Sequence, residues 1–321
     1  MVAKKQKNIR IIEVPSEVGA GTRGSSLGVE AIKIAALDFR SQFFKNYRSI
    51  VIPNDNQALL GTPGNRYAKN IRSVLKMYER IGAAVRDTMR DNRFPIILSG
   101  DHSNAGGTIA GIRMAYPESR IGVIWIDAHA DLHSPYTSPS GNLHGMPLAT
   151  ALNEDNIEEK VNDLDYETIE LWEMLKNVGD MSPKIEYRDL VYITLRDLEE
   201  QEAALIKANK VKVISTNEVR KTGITKLSRE ILKYLSACDK VYISFDVDAM
   251  DPTVSRGTGT PVKGGINERE AADLILELIQ NERVCCMEFT EVNPTLDSEN
   301  VMAETAFEIL QKVARQLEMI N

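Results

Sequence analysis

The stretch Ile121-Gly122-Val123-Ile124-Trp125-Ile126-Asp127-Ala128-His129-Ala130-Asp131 changes character at one point: six residues without a charge are followed by acids alternating with an imidazole. A short uninterrupted apolar run rich in β-branched residues predicts a strand buried on both faces. The same construction recurs three times. Residues 95–99 deliver Asp101-His102, residues 241–245 deliver Asp246-Val247-Asp248, and Cys286-Met287-Glu288-Phe289 runs towards Glu291. In open α/β sheets, ligands gather at the carboxyl ends of the strands. Four strands of this chain therefore aim their polar ends at one place.

Working outward, the same reading predicts further strands at 9–14, 49–52, 189–194 and 211–214, and extends the last one over 283–289. Between the strands lie helical patterns, such as Ala303, Ala306, Phe307, Leu310, Val313, Ala314 and Leu317, spaced three and four apart on one face. This alternation predicts an α/β fold, a mostly parallel sheet of about eight strands with helices on both faces. No repeat, linker or shift in composition marks a boundary, so residues 1–321 read as a single domain. Residues 153–185 are acidic and helix-prone, and read as a surface excursion.

Composition narrows the function. A chain of 321 residues, 43% apolar and 26% charged, is ordinary for a globular protein. A net charge of -7 without a basic stripe argues against a nucleic-acid partner. No stretch approaches the roughly 20 apolar residues needed to cross a bilayer. The basic Lys4-Lys5-Gln6-Lys7 has no apolar run behind it and reads as a solvated tail. Cys238, Cys285 and Cys286 are odd in number and lack framework spacing, so they read as buried apolar residues in a reducing, cytoplasmic setting.

All four histidines (His102, His129, His133 and His144) fall within one short segment. In an extended chain, alternate residues face one way, which sets Asp127, His129 and Asp131 together, and Asp246 with Asp248. With His102 these make six candidate metal ligands. Taken singly, each could be a cap or a turn former, as Asp251-Pro252 is read. Taken together, they would converge as buried carboxylates, which is costly without cations. Four carboxylates among six ligands, and no thiolate, exceed what one structural zinc uses. A pair of divalent ions fits better, and the oxygen-rich mix favours manganese. Four carboxylates balance two such ions, so a cationic substrate would be accommodated.

These phrases together resemble the ureohydrolase superfamily of arginases, agmatinases and related guanidino hydrolases. The resemblance rests on Gly100-Asp101-His102-Ser103, Asp127-Ala128-His129-Ala130-Asp131, Ser244-Phe245-Asp246-Val247-Asp248 with Asp251-Pro252, Gly257-Thr258-Gly259-Thr260-Pro261 and Glu291-Val292-Asn293-Pro294. The segment from Pro15 to Gly28, with Arg23-Gly24, looks like a looser version of the family's opening loop. The resemblance implies two Mn2+ ions bridged by Asp127 and Asp246, with His102 and Asp131 completing one shell and His129 and Asp248 the other. It implies hydrolysis of a guanidinium group through a metal-bridging hydroxide, with Asp131 handling a proton, Glu291 pairing with the guanidinium and His144 shuttling a proton to the leaving amine.

The loop Ser138-Pro139-Ser140-Gly141-Asn142-Leu143-His144-Gly145 is most similar to that of arginases. It implies L-arginine as substrate, giving L-ornithine and urea, with Ser140 and Asn142 at the α-carboxylate, Asp189 at the α-amino group and Thr260 among the substrate contacts. Ser140, Gly141 and Asn142 are equally the makings of a tight turn. His133 stands where arginases usually carry an asparagine. It can still donate to a carboxylate, or it can mark another guanidino or formimino substrate: agmatine, guanidinobutyrate or formiminoglutamate; the third reading, an extra metal ligand, is disfavoured because the six-ligand set is already complete. The resemblance also implies a homo-oligomer, trimer or hexamer.

Overall fold

The computed structural model describes residues 8–319. The basic tail at Lys4 to Lys7 lies outside the described residues. Eight strands form one sheet: β1 (Asn8–Val14), β2 (Ser49–Val51), β3 (Arg93–Ser99), β4 (Ile121–Ile126), β5 (Leu190–Ile193), β6 (Lys212–Ile214), β7 (Lys240–Asp246) and β8 (Val284–Thr290). Their order is β2-β1-β3-β8-β7-β4-β5-β6, and every neighbouring pair is parallel.

The sheet is apolar on both sides, as its continuous runs require. Along β4, Ile121, Val123 and Trp125 enter the core on one face, while Ile124 and Ile126 enter the core on the other. The first face is covered by helices Ile71–Arg90, Ala105–Ala115 and Tyr166–Lys176, and the second by Gly28–Asp38, Ile224–Tyr234, Glu268–Ile279 and Val301–Met319. The helix expected from Ala303 to Leu317 is the core of the last of these. Cys238 and Cys286 are buried and no cysteine forms a disulfide among the described residues. Within the same residues, no helix is long and apolar enough to cross a membrane.

Residues 153–185 are more than the expected surface excursion. The helix Tyr166–Lys176 buries Thr168, Leu171, Trp172 and Leu175, an i, i+3, i+4, i+7 face that anchors it to the core. Trp172 Nε1 and Lys176 Nζ both donate to Asp155 Oδ1, at 2.7 and 2.6 Å. Asn162 Nδ2 donates to Ser138 O at 2.7 Å, so the segment braces the loop that follows β4.

The four central strands end in sharp departures from the sheet. Gly100, directly after β3, donates its N–H to Val14 O, and a Cβ placed on it would stand 2.2 Å from Ser16 O. Only a glycine lets β3 pass the opening loop that closely and turn His102 inward. Gly100→Ala should therefore destabilise the fold by about 1–3 kcal/mol through overpacking, read as a lowered urea midpoint. A variant as stable as the parent would show that the loop at 15–16 yields freely.

Candidate active site

β3, β4, β7 and β8 each bring one phrase to the carboxyl edge of the sheet. After β3 comes a short turn capped by Asp101, whose Oδ1 accepts from Ser103 N–H and whose Oδ2 accepts from Gly19 N–H. Asp101 is thus spent on holding the turn. Its neighbour His102 is buried, its ring stacked on Trp125 with centroids 4.1 Å apart and planes 5° from parallel.

His102 Nδ1 lies 2.9 Å from Asp131 Oδ2, 3.0 Å from Asp127 Oδ2 and 3.2 Å from Asp246 Oδ2. Beside this group, His129 Nδ1 lies 2.9 Å from Asp248 Oδ2 and 3.5 Å from Asp127 Oδ1. Asp127 thus belongs to both clusters, one oxygen turned to each. All six residues singled out as ligands lie together, and their free backbone groups are tied off: Asp127 Oδ1 accepts from His129 N–H, Asp246 Oδ1 from Asp248 N–H, and Asp248 Oδ1 from Ala128 N–H.

A ring nitrogen can donate to one oxygen, not three. His102 Nδ1 and Asp127 Oδ2 are buried and neither makes a hydrogen bond. On its other side, the ring sets Nε2 2.7 Å from Ser244 Oγ. An Nε2–H donated to Ser244 leaves a lone pair on Nδ1 facing carboxylates, the disposition of a metal-ligating imidazole oriented through its other nitrogen. His129, Asp127 and Asp248 form a second three-ligand group of the same kind. The donor set fits two divalent cations.

The charges of the protein atoms alone show the same demand. Burial, with the charges of Asp248 and Asp127, pushes Asp246 well above the carboxylate range. Burial and the charge of Asp127 push Asp131 up to about 6. Burial works against the charged form of His102, yet the carboxylates of Asp127, Asp131 and Asp246 crowded against its Nδ1 drive it far above the usual histidine value. Protons are being recruited where cations would serve.

The backbone is strained where it presents these groups. Asp131 sits at φ 51° and Glu291 at φ 66°, in the left-handed region that non-glycine residues seldom adopt. Glu291, past β8, is held by its N–H to Gly100 O at 3.0 Å, and its Oε1 accepts from His102 N–H at 2.9 Å. His144 Nδ1 lies 3.3 Å from the same Oε1. Burial alone would lower His144, but hydrogen bonding to Glu291 raises it.

These groups open on a cleft of about 310 Å³ that also contains His133, Ser140, Asn142, Asp197, Glu199, Glu202 and Thr260. Thr260 Oγ1 lies 3.2 Å from Asp248 Oδ2, which sets it against the ligand group. Ser140 Oγ accepts from Asn142 N–H at 3.2 Å, an ST-type turn within the loop. His133 forms a third His/carboxylate group with Glu199 and Glu202, its Nδ1 3.0 Å from Thr137 Oγ1 and its Nε2 3.0 Å from Glu199 Oε2. Asp251 is the turn residue expected, accepting from Thr253 N–H and from Gly264 N–H, bonds that hold it down at about 2.

Asp189 is a correction. Expected at the substrate's amino group, it lies before β5, at the amino edge of the sheet and opposite the cleft. There it is buried against Arg120, with two hydrogen bonds of 2.7 and 2.8 Å. The acids that do line that side, Glu199 and Glu202, follow the carboxyl end of β5, where the strand-end rule would have looked. Their signal was the run Arg196-Asp197-Leu198-Glu199-Glu200-Gln201-Glu202. Glu199 and Glu202 form a capping box on the helix Glu200–Ala208; His133 holds Glu199 down at about 2, while burial raises Glu202 to about 7.

Comparison with known proteins agrees with this geometry. The family model described as "Arginase family" matches residues 7–315. The arginase of Bacillus subtilis is 37% identical over 310 residues, covering 96% of this chain and 97% of its own. Arginase-1 of Rattus norvegicus is 34% identical over 304 residues, covering 92% and 87%. Among solved structures, the arginase of Bacillus caldovelox superposes with a TM-score of 0.81 at 34% identity, covering 96% of this chain and 98% of its own. An Entamoeba histolytica arginase in complex with L-ornithine superposes with a TM-score of 0.80 at 25% identity, covering 97% and 99%.

Replacing Asp189 by Asn should lower stability by about 1–3 kcal/mol, since Arg120 loses a charge-assisted pair, and leave KM for substrate unchanged. A raised KM with unaltered melting would return Asp189 to the cleft.

Proposed function

This chain belongs to the arginase family and is an arginase-type ureohydrolase, and we propose that it hydrolyses L-arginine to L-ornithine and urea at a pair of manganese ions. The observation that carries the metal reading is the shared Asp127, one oxygen in each of two adjoining His/Asp clusters. His102 and Asp131 would hold one ion, His129 and Asp248 the other, and Asp127 and Asp246 both. Two divalent ions so held lower the pKa of a water, so that hydroxide is available as nucleophile near neutral pH.

The remaining work falls to the chain's own residues. Glu291, with Oε1 already taken by His102 N–H, has Oε2 left to receive the planar guanidinium. Addition of oxygen to the guanidinium carbon and scission of the bond to the side-chain nitrogen require the attacking water to give up two protons, the first on addition and the second as the urea carbonyl forms, and the departing nitrogen to gain two. Asp131 stands in the ligand cluster to take the first. His144, on the cleft wall beside Glu291, is the group to deliver the second that the departing nitrogen gains, as a ring whose protonated form the Glu291 contact favours.

At the far end, Ser140 and Asn142 offer neutral donors to the α-carboxylate, with His133 beside them. The α-amino group falls to Glu199 and Glu202 in place of Asp189. The L-ornithine named in the Entamoeba relative's complex supports an amino-acid head in this cleft. The same reading makes the protein a cytoplasmic homo-oligomer, trimer or hexamer, acting on a small molecule and on neither nucleic acid nor membrane; the net charge of -7 without a basic stripe supports the exclusion of nucleic acid.

The test is urea release by chelator-stripped protein reloaded with manganese, with L-arginine and agmatine assayed side by side. Manganese-dependent release from L-arginine is expected. Urea release from agmatine or guanidinobutyrate alone, or formamide release from formiminoglutamate, would move the substrate and implicate the His133–Glu199 pair.

Asp127→Ala should lose both turnover and bound metal, because one side chain serves both clusters. His144→Ala should keep its metal and lose about 10²–10⁴-fold in kcat, the worth of a general acid. Metal analysis of the two variants decides it: a metal-replete Asp127→Ala would sink the shared-ligand role.

A further inference from the structure

Asn142 is the wall between two cavities. On one side is the catalytic cleft; on the other is a smaller cavity of about 220 Å³ lined by Gly21, Arg23, Lys69 and Asn70, among others. Lys69 approaches the wall from behind. Its Nζ donates to Asn142 Oδ1 at 3.2 Å, and its backbone N–H donates to Gly141 O at 2.8 Å. Its ammonium enters no ion pair among the described residues. The segment carrying it is fixed on both sides: Asn70 N–H donates to Pro63 O, and Asn70 Nδ2 donates to Val18 O at 3.1 Å.

An ammonium has three donors and no acceptor, whereas a side-chain amide has both and can present either end by rotating half a turn. Facing Lys69, Asn142 must turn its oxygen back, and its NH2 group is then the end left for the opposite side. Nδ2 lies at the seam between the two cavities: a Cβ on Gly21, which lines the smaller one, would come within 2.6 Å of Nδ2 and 3.8 Å from His144 Nε2, which lines the cleft. The amide nitrogen thus stands at the rim of the cleft that His144 borders. The polarity matters because the cleft is otherwise acidic, with Asp197, Glu199 and Glu202 on its walls. An amide oxygen turned outward would repel a carboxylate that an NH2 group receives.

We propose that Lys69 is a positioning residue that makes the cleft selective for guanidino substrates bearing a carboxylate, by locking the Asn142 amide with its NH2 group towards the ligand. The proposal rests on the reading of Asn142 as a carboxylate contact. Lys69 touches no substrate itself; it acts through Asn142 and adds a positive charge behind it.

The test compares Lys69→Met, Lys69→Arg, Lys69→Glu and Asn142→Ala. KM and kcat are measured for L-arginine, along with the affinity for agmatine as inhibitor of L-arginine hydrolysis. Agmatine is the same molecule without the carboxylate. Lys69→Met should raise KM for L-arginine about five- to tenfold, the equivalent of one weakened hydrogen bond to a charged group, with kcat and agmatine affinity within about twofold. Lys69→Arg, also donor-only, should restore KM. Lys69→Glu accepts from the amide, turns its oxygen to the ligand, and should show the largest rise.

An unchanged L-arginine KM in Lys69→Met, or an equal shift for agmatine, overturns the proposal when Asn142→Ala does discriminate between the two ligands. If Asn142→Ala affects both equally, the carboxylate reading of Asn142 falls and the role of Lys69 with it. A parental melting temperature in Lys69→Arg, together with restored KM, separates positioning from general loss of structure.

Discussion

Everything at the carboxyl edge of this sheet depends on a concentration of negative charge that the protein alone cannot balance. Asp127, Asp131, Asp246 and Asp248 are all buried, within hydrogen-bond distance of only two imidazoles. Desolvated carboxylates at such spacing repel strongly, and each is stable as an anion only with a cation beside it. The rest of the fold can be read as the frame that holds this unfavourable arrangement still. Trp125 stacks beneath His102, Ser244 takes its outer nitrogen, and backbone N–H groups pin the oxygens that do not face inward.

A parallel sheet suits that task. Its central strands β3, β8, β7 and β4 lie side by side and end at one edge, so cleft residues some 190 apart in the chain (His102 and Glu291) come into direct contact. Their strands are buried on both faces and are therefore stiff supports. The left-handed backbone at Asp131 and Glu291 is tolerated because the neighbouring strands over-determine it. The rest of the cleft wall is built differently, on loops. The segment 134–145 is braced from one side by Asn162 and from the other by Lys69, while Glu199 and Glu202 reach the cleft from the first turn of a helix.

His133 belongs to this second layer. Its ring is tied between Thr137 and Glu199, so what stands at the head of the cleft is a hydrogen-bonded imidazole–carboxylate pair. It extends the acidic surface that Glu202 shares, and its nitrogens are both engaged before any substrate arrives. The head of the cleft is therefore a network, and its members set one another's charge: His133 holds Glu199 down while burial holds Glu202 up.

The sequence alone determined the eight strands and the cluster of six His and Asp residues, because both are written locally. Strands buried on two faces are unbroken apolar runs, and alternating acids and imidazoles just past them can only face one way. What it could not determine was anything that depends on which distant loop folds over that edge. Asp189 and Glu199 flank the same strand, and only the direction of β5 in the assembled sheet sends one to Arg120 and the other to the cleft. The acidic segment after residue 152 hid a buried Trp172 behind its surface charge, and nothing near Lys69 in the chain hints at Asn142, 73 residues away. Contacts between neighbours in sequence are set by backbone periodicity; contacts between loops are set by how the whole sheet closes, and only the tertiary structure decides that.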